Sequence, residues 1–595
     1  MFISRSVATW MRARLSDNQR FTVLCIVCGL LCGLVAVAFH LVIHALFEGV
    51  LKLAESQSIE GFILILLLAP TLGGLIVGFG IKFVSPAAAG SGIPQTKAAY
   101  FNKGGKISSH DGFWRFILGS LYVGLGNSLG REGPTVHVSA SIGSRLGRWA
   151  FKDPRRKQAM VPVGVAGGIA AAFNAPIAAI MFVFEELMDS FAIKALGGIA
   201  IAVVIAAATS RMILGESPIV QAHLFADYET SLWMLVAVPL GVFSGLFGTA
   251  FTSSVLKLRQ AFKVRTFFPV WLRPAAGGLM VGCLGLTGWF VTGLLGQQSH
   301  DVFSVGYDSL ELAFEAKLVA GVLATLLILK GLAVVINYAT GGSGGLFSPT
   351  LFLGGMIGGL AGIGLSAFNA STPLPGWPGD QEVIGGCVLL GMGALFGAVI
   401  RNPLTSLIMI FEMTGTYSLI LPLMGGNLIA WAIADRLQSI PIYNALLLQD
   451  GITLKRMPGY RGSQDYTKLP VSAIMTHDVH CLGEEQTVSG VRAELRECQW
   501  NFHGYPVLSA EGELRGIVTR SELRLASPDV TIGQLIAKQE LLSVDAQATI
   551  CKTANQMIAR DIQQVPVTSP VNPKKLVGLL TLNDISRQQN AAEEL

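Results

Sequence analysis

Apolar runs long enough to cross a bilayer recur along most of this chain, and no other feature limits its fold so severely. They lie near residues 22–48, 62–84, 113–130, 159–184, 193–213, 231–255, 275–296, 317–337, 350–368, 384–411 and 418–434. A spanning helix needs about 20 such residues, so about ten or more membrane segments are expected. Many runs contain Gly or Pro, which predicts broken or tilted helices. The chain is 51% hydrophobic and 14% charged, against roughly 25% charged in an ordinary soluble domain.

The charge is uneven. From Leu446 onward stand 15 Lys and Arg and 17 Asp and Glu, leaving 28 and 21 for the much longer stretch before it, a net charge of +7 there. A membrane region followed by a soluble tail with its own core is expected. Ahead of the first apolar run, Arg5, Arg12, Arg14 and Arg20 face one acid, Asp17. That predicts a basic cytoplasmic N-terminus over 1–20. The apolar run after it is too long for a signal peptide. Cys25, Cys28 and Cys32 have helical spacing, as do His40 and His44. Neither group has further ligands nearby, so both are read as packing residues, with no metal site.

Two regions echo each other. "GPTVHVSASIG" (133–143) matches "SPTLFLGGMIG" (348–358), and "NAPIAAIMFVFEE" (174–186) matches "RNPLTSLIMIFEM" (401–413). Pro176 precedes Glu185 by the same interval as Pro403 precedes Glu412, and the offsets between the copies are 215 and 227. Repeats of this size are typical of transporters whose halves meet around a midplane site made by broken helices. Repeats are expected over about 21–215 and 231–450, in either relative orientation.

Three clusters combine glycine with proline: "AGSGIPQ" (89–95), "GREGP" (130–134) and "GGLFSP" (344–349). Proline suits the first helical turn, and irregular backbone at membrane depth is tolerated only where it is buried or lines a cavity. The clusters therefore predict helices that begin inside the membrane. Helix N-termini offer unpaired N–H groups and partial positive charge, so they should face an anion. Without a full cation beside it, the anion stays releasable, as transport requires. Simple turns between spanning helices are the plainer reading of any single cluster.

The ordered set Gly90-Ser91-Gly92-Ile93-Pro94, Gly130-Arg131-Glu132-Gly133-Pro134, Gly345-Leu346-Phe347-Ser348-Pro349 and Tyr443 resembles the CLC chloride channel and transporter family. The resemblance runs from about residue 20 to 450. It implies an α-helical membrane protein with an inverted repeat of tilted and broken helices, forming a homodimer with one anion pathway per subunit. It implies that Ser91 and Tyr443 give hydroxyls to the anion, with Gly92, Ile93, Leu346 and Phe347 lining the same site through the backbone. It implies that Glu132 is the gate and Glu186, beside Glu185, the internal proton-transfer acid. The presence of the second acid favours chloride/proton antiport, two anions to one proton. A passive, voltage- or pH-gated chloride channel is the alternative. Arg131 reads as a structural partner. The chain departs from the family at Gln95, where many members carry an acid, while Ser91 and Tyr443 argue against the fluoride-exporting branch. A multi-pass cell-membrane location is implied, the inner membrane in a Gram-negative bacterium, with lipid around it and both termini cytoplasmic.

Past a linker at 451–467, "YPVLSAEGELRGIVTRSEL" (505–523) parallels "VPVTSPVNPKKLVGLLTLNDI" (565–585), with Pro506 and Pro566 in matching places. Short β-branched runs alternate with helical stretches at 487–498 and 549–560, giving a β-α-β-β-α reading. The tail resembles an α/β CBS-domain pair, 468–526 and 527–595. That resemblance implies an adenine nucleotide contact at Thr519, Thr581 and Asp584; Glu522 stands in the first copy where the second has Asp584. A purely structural tail is the equal alternative. Nothing in the chain calls for nucleic acid. Nor is it expected to be an enzyme: a serine hydrolase built on Ser91 or Ser343 would need His137 as base, with no acid placed to orient it. A metal-cation transporter would need carboxylate cages, and the clusters offer donors instead.

Overall fold

The computed structural model describes residues 14–189, 193–215, 230–264, 269–372, 379–414, 419–452, 454, 469–497, 502–537, 539, 541–570 and 572–593. Arg5, Arg12 and nearly all of the expected linker at 451–467 lie outside them. The chain divides into two units, Met1–Lys455 and Arg456–Leu595.

Among the described residues, the regular structure of the first unit is helical. In order, its helices are α1 (Asp17–Glu55), α2 (Ile59–Phe83), α3 (Ile93–Asn102), α4 (Ser109–Gly124), α5 (Glu132–Ala150), α6 (Pro154–Phe173), α7 (Pro176–Phe182) and α8 (Ile193–Leu214). Then come α9 (Thr230–Val264), α10 (Arg273–Leu294), α11 (Tyr307–Phe314), α12 (Ala320–Ala339), α13 (Phe347–Ser371), α14 (Asp380–Ile400), α15 (Pro403–Thr414), α16 (Ile420–Leu437) and α17 (Ile442–Gln449). Among the described residues, α1–α8 and α9–α16 run in the same order of long and short helices, and α17 stands alone. The two series follow the two copies of the sequence repeat.

Eight described helices are long and apolar enough to span a bilayer, fewer than the apolar runs suggest. The run at 159–184 breaks at Asn174, whose φ is +53°, and continues as the short α7. The run at 113–130 loses its helix after Gly124. Breaks of this kind let helices start and stop in the interior. At the N-terminal end, Ser16 and Gln19 form a capping box that starts α1 at Asp17, inside the basic segment.

Without a hydrophobic drive between helices in lipid, close packing of small residues holds them together. A Cβ on Gly143 of α5 would sit 2.1 Å from the Met160 carbonyl oxygen of α6. Its repeat counterpart, Gly358 of α13, stands 2.0 Å on the same measure from the Cys387 oxygen of α14. The repeated Ile-Gly pair is thus a point of close approach in two equivalent helix pairs. Leu30, Leu34, Leu41, Ile63, Phe79 and Phe290 face outward as the exposed apolar surface a bilayer covers. Cys25, Cys28 and Cys32 are buried in α1, and among the described residues no His/Cys/Asp/Glu group could hold a metal.

The second unit carries two three-stranded sheets of identical topology: β1 (Leu482–Gly483), β2 (Gly504–Leu508), β3 (Leu514–Thr519), and β4 (Val544–Asp545), β5 (Gln564–Thr568), β6 (Leu576–Thr581). In each, the first pair is parallel and the second antiparallel. Pro506 faces Ile517 and Pro566 faces Leu579, and the register shifts just past the next residue, Val507 or Val567. The expected helices appear as α18 (Val488–Glu497) and α21 (Ile550–Ala559), with α19 (Arg520–Leu525), α20 (Ile532–Ile536) and α22 (Leu582–Glu593) beside them. The halves exchange segments: Val471 and Met475 join the core around Val544 and Val567, while Ile532 and Ile536 join that around Leu482 and Val507.

Candidate functional site

The three Gly/Pro clusters meet. Gly130 N–H donates to Gly345 O at 2.8 Å and Gly345 N–H donates to Gly130 O at 2.6 Å, a one-rung antiparallel ladder between the repeats. Each glycine lies two residues before its helix, so the ladder sets the starts of α5 and α13 side by side. Gly90 N–H donates to Gly342 O at 2.9 Å, tying in the first cluster. A Cβ on Gly133 would lie 2.5 Å from Ser91 Oγ, so the start of α3 abuts that of α5. Gly92, at φ +89°, turns the chain into α3.

Buried cations shape the loops. Arg115, fully buried in α4, donates to Gly90 O at 2.8 Å, to Ala89 O at 3.2 Å and to Ala87 O. Lys330, in α12 of the second repeat and equally buried, donates to Asp301 O at 2.6 Å, Ser304 O at 3.0 Å and Phe303 O at 3.2 Å. Each cation binds carbonyls of the loop preceding a short helix, α3 or α11.

Ser91 and Tyr443 are both 0% exposed, and their hydroxyls lie within reach of each other while bonding no other group. A bond between the two uses only one of their two protons, and leaving the other buried without an acceptor is costly. Ile93 is buried as the first residue of α3, Leu346 caps α13, and Phe347 opens it. The Phe347 ring packs on Phe396 (4.4 Å between centroids) and Phe173 (4.7 Å), which fixes its backbone. The starts of α5 and α13 are joined by the Gly130–Gly345 rung, and the start of α3 abuts that of α5 at Ser91.

Glu132 is 1% exposed. Its Oε1 accepts from the Tyr307 hydroxyl at 3.1 Å and lies 3.7 Å from Arg131 Nε, while Oε2 has no partner. Arg131 also donates to Ala172 O at 3.4 Å, contacts His40 Nδ1 and stacks over the Tyr307 ring at 5.8 Å. These contacts tie α1, α6 and α11 together around the start of α5.

Glu186 lies in a single π-helical turn, Val183–Met188, a local form that often marks functional positions. It is 3% exposed; Lys97 Nζ reaches its Oε1 at 3.0 Å and Asn402 Nδ2 its Oε2 at 3.2 Å. Lys97 also reaches Asp189 Oδ1 at 3.3 Å. Glu185 points elsewhere, accepting from Leu404 N–H at 3.2 Å and from Thr405 N–H at 2.7 Å at the start of α15. Glu412 does the same for α7, accepting from Ile177 N–H at 2.9 Å and Ala178 N–H at 2.8 Å. The repeat's paired acids cap each other's helices.

Tyr307, Lys97 and Asn402 escape the sequence reading. Tyr307 sits between apolar runs, though the glycine before it (Gly306, φ +85°) matches Gly92 and could have flagged a second buried helix start. Gln95 donates its amide to Ala89 O at 3.4 Å. His137 Nδ1 pairs with Thr96 Oγ1 at 2.9 Å and bonds neither Ser91 nor Ser343, which removes the serine-hydrolase arrangement.

In the tail, Thr519 exchanges bonds with Glu522 (3.2 Å to Glu522 N, 2.8 Å to Oε2), capping α19. Thr581 does so with Asp584 (3.1 Å to Asp584 N, 2.7 Å to Oδ2) at α22. Both residue pairs are helix caps. Thr581 bonds Asp584 through Oδ2 alone, so the other carboxylate oxygen stands outside the cap.

A family model described as voltage gated chloride channel matches residues 73–435, and CBS-domain models match 471–529 and 532–590. The H(+)/Cl(-) exchange transporter ClcA of Klebsiella pneumoniae (strain 342) is 29% identical over 433 residues, 71% of this chain and 87% of that protein. ClcA of Vibrio vulnificus (strain YJ016) is 32% identical over 437 residues, 70% of this chain and 87% of that protein. Among solved structures, a slow cyanobacterial Cl-/H+ antiporter aligns with TM-score 0.64 and 26% identity, covering 74% of this chain and all of that one. A eukaryotic CLC transporter aligns over 95% of this chain and 98% of its own at TM-score 0.61 and 19% identity, a likeness of fold.

Proposed function

This chain belongs to the voltage-gated chloride channel family, and on that premise we propose that it exchanges chloride for protons by secondary active antiport. The observation that carries the reading is one of position: Glu132 opens α5 next to Gly133, where a Cβ would lie 2.5 Å from Ser91 Oγ, and Glu186 is bonded at 3.0 Å to Lys97 of α3, the helix that Ser91 leads into. An anion bound by Ser91, Tyr443 and the backbone at Gly92, Ile93, Leu346 and Phe347 would therefore lie near both buried acids. Intramembrane carboxylates are functional by default.

In this reading the ionised Glu132 carboxylate occupies part of the anion path and competes with chloride. Protonation removes its charge, releases it from Tyr307 and lets an anion take its place. Glu186 relays the proton toward the inner side. Neutral hydroxyl and amide donors bind the anion without a cation's grip, so it can leave. The relatives named as H(+)/Cl(-) exchangers support this assignment.

One contact favours the alternative, a passive channel. Lys97 holds Glu186 in a buried ion pair at 3.0 Å, a structural employment that needs no proton transfer. Glu186→Gln decides between them when proton and chloride fluxes are recorded together in liposomes. Loss of proton flux with surviving chloride flux supports antiport through Glu186. Unchanged proton coupling would remove Glu186 from the path.

The working unit proposed is a cell-membrane homodimer surrounded by lipid, with both termini cytoplasmic. At the CBS pair, Thr581 and Asp584 are the residues that would hold the ribose of an adenine nucleotide, and Thr519 is their counterpart in the first copy. The longer Glu522 makes that copy the poorer site.

A further inference from the structure

The Glu132 carboxylate is held by a tyrosine from the other repeat. Tyr307 Oη stands 3.1 Å from Glu132 Oε1 and 2.9 Å from Ser348 Oγ, and Ser348 is the second residue of α13. A phenol has one proton. With Glu132 ionised, that proton must point at the carboxylate, and Ser348 must donate to Tyr307, giving a directed chain Ser348 to Tyr307 to Glu132. The reverse order would leave two oxygen lone pairs facing each other at 3.1 Å. Chains of this kind reinforce one another in a low-dielectric interior.

The tyrosine is itself held rigidly. It opens α11 immediately after Gly306, and a Cβ on Gly306 would lie 2.8 Å from Lys330 Nζ. Lys330 pins the preceding loop through three carbonyls. The Arg131 guanidinium covers the ring at 5.8 Å. The hydroxyl's place is thus set by α12, by the start of α5 and by α13 together.

We infer that Tyr307, backed by Ser348, is a positioning residue that latches the ionised Glu132 carboxylate across the anion path and releases it once the carboxylate is protonated. The inference rests on Glu132 being the gate. The other charged or titratable groups around Glu132 are Arg131 beside it in the chain, Tyr443 from α17, and His40 of α1, which acts through Arg131. None of these is altered by removing the phenol oxygen.

The test is chloride flux against pH for the full chain in liposomes. A donor to the charged form favours that form, so without it Glu132 takes up its proton at a lower proton concentration. Tyr307→Phe is expected to move the half-activation pH upward by about one unit, the size expected for one hydrogen bond to a charged group. Ser348→Ala is expected to move it the same way by less, and Ser348→Thr, which keeps the hydroxyl, to hold the wild-type midpoint. A merely structural tyrosine would lower the rate at every pH and leave the midpoint in place, and that result overturns the latch. Should Tyr307→Phe not fold, the Ser348→Ala midpoint decides alone. Glu132→Ala separates the two ideas. If that variant keeps the wild-type pH dependence, the gate reading fails; if it loses it while Tyr307→Phe is unshifted, only the latch fails.

Discussion

Gly130 and Gly345 exchange both of their backbone hydrogen bonds, at 2.8 and 2.6 Å, although they belong to different halves of the repeat. This single rung joins equivalent points of the two halves and fixes the distance between the starts of α5 and α13. A Cβ on Gly345 would lie 2.8 Å from Gly133 N and 3.2 Å from its Cα, backbone atoms with no side chain to yield. Gly345→Ala should therefore push the helix starts apart. Strain of this kind costs about 1–3 kcal/mol. If it falls on the anion site, chloride binding measured by calorimetry in detergent should weaken about tenfold or more. Unchanged affinity would show that the spacing does not set the anion site.

Lys97 and Glu186 form a buried ion pair, and breaking one side of such a pair leaves an uncompensated charge. Lys97→Met should destabilise the protein by about 3 kcal/mol, read from thermal unfolding in detergent. Lys97→Met with Glu186→Gln should recover much of that loss, because no unpaired charge remains in the pair. Additive losses would mean that the two side chains act independently.

Glu185 and Glu186 are neighbours with different employment. Glu185→Ala strips acceptors from the first-turn N–H groups of α15, and Glu412→Ala does the same to α7. Each should lower stability by about 1 kcal/mol while leaving the ratio of chloride to protons as in wild type. An altered ratio in Glu185→Ala would make this acid part of the proton path.

In the CBS pair, Thr519→Val and Thr581→Val each remove a helix cap and should cost about 1 kcal/mol. Only Thr581→Val should weaken ATP binding to the full chain in a calorimetric titration, because its partner is Asp584. Equal loss in both variants would contradict the asymmetry between the copies, and no heat in wild type would leave the tail structural.

What the sequence displays openly is what short-range physics writes. Pro94, Pro134 and Pro349 mark helix starts, and the Ile-Gly pair at 142–143 and 357–358 marks equivalent close contacts of helices. The correspondence of Glu185 with Glu412 is visible as a repeat, yet their capping of each other's helices is not. Capping from one repeat to the other depends on how the halves meet, which no local spacing encodes. Tyr307 is illegible for a related reason: it lies in a polar connection between apolar runs, and its role comes from Glu132 and Ser348, distant in sequence. Lys97 stands four residues beyond Ile93 in a motif read for anion donors, and only its burial beside Glu186 gives it meaning. In the tail, a Thr followed three residues later by an acid has the same local form as a cap and as a nucleotide contact, and the structure displays the cap.

The central claim is that movement of chloride is tied to movement of protons. The most direct measurement is the pH outside liposomes holding the purified wild-type protein, with a chloride gradient imposed and no initial proton gradient. Antiport requires chloride running down its gradient to drive protons the opposite way, building a pH difference that collapses with a proton ionophore and fails to form with Glu132→Ala. Chloride flux with no pH change in wild type would contradict antiport and establish the passive channel.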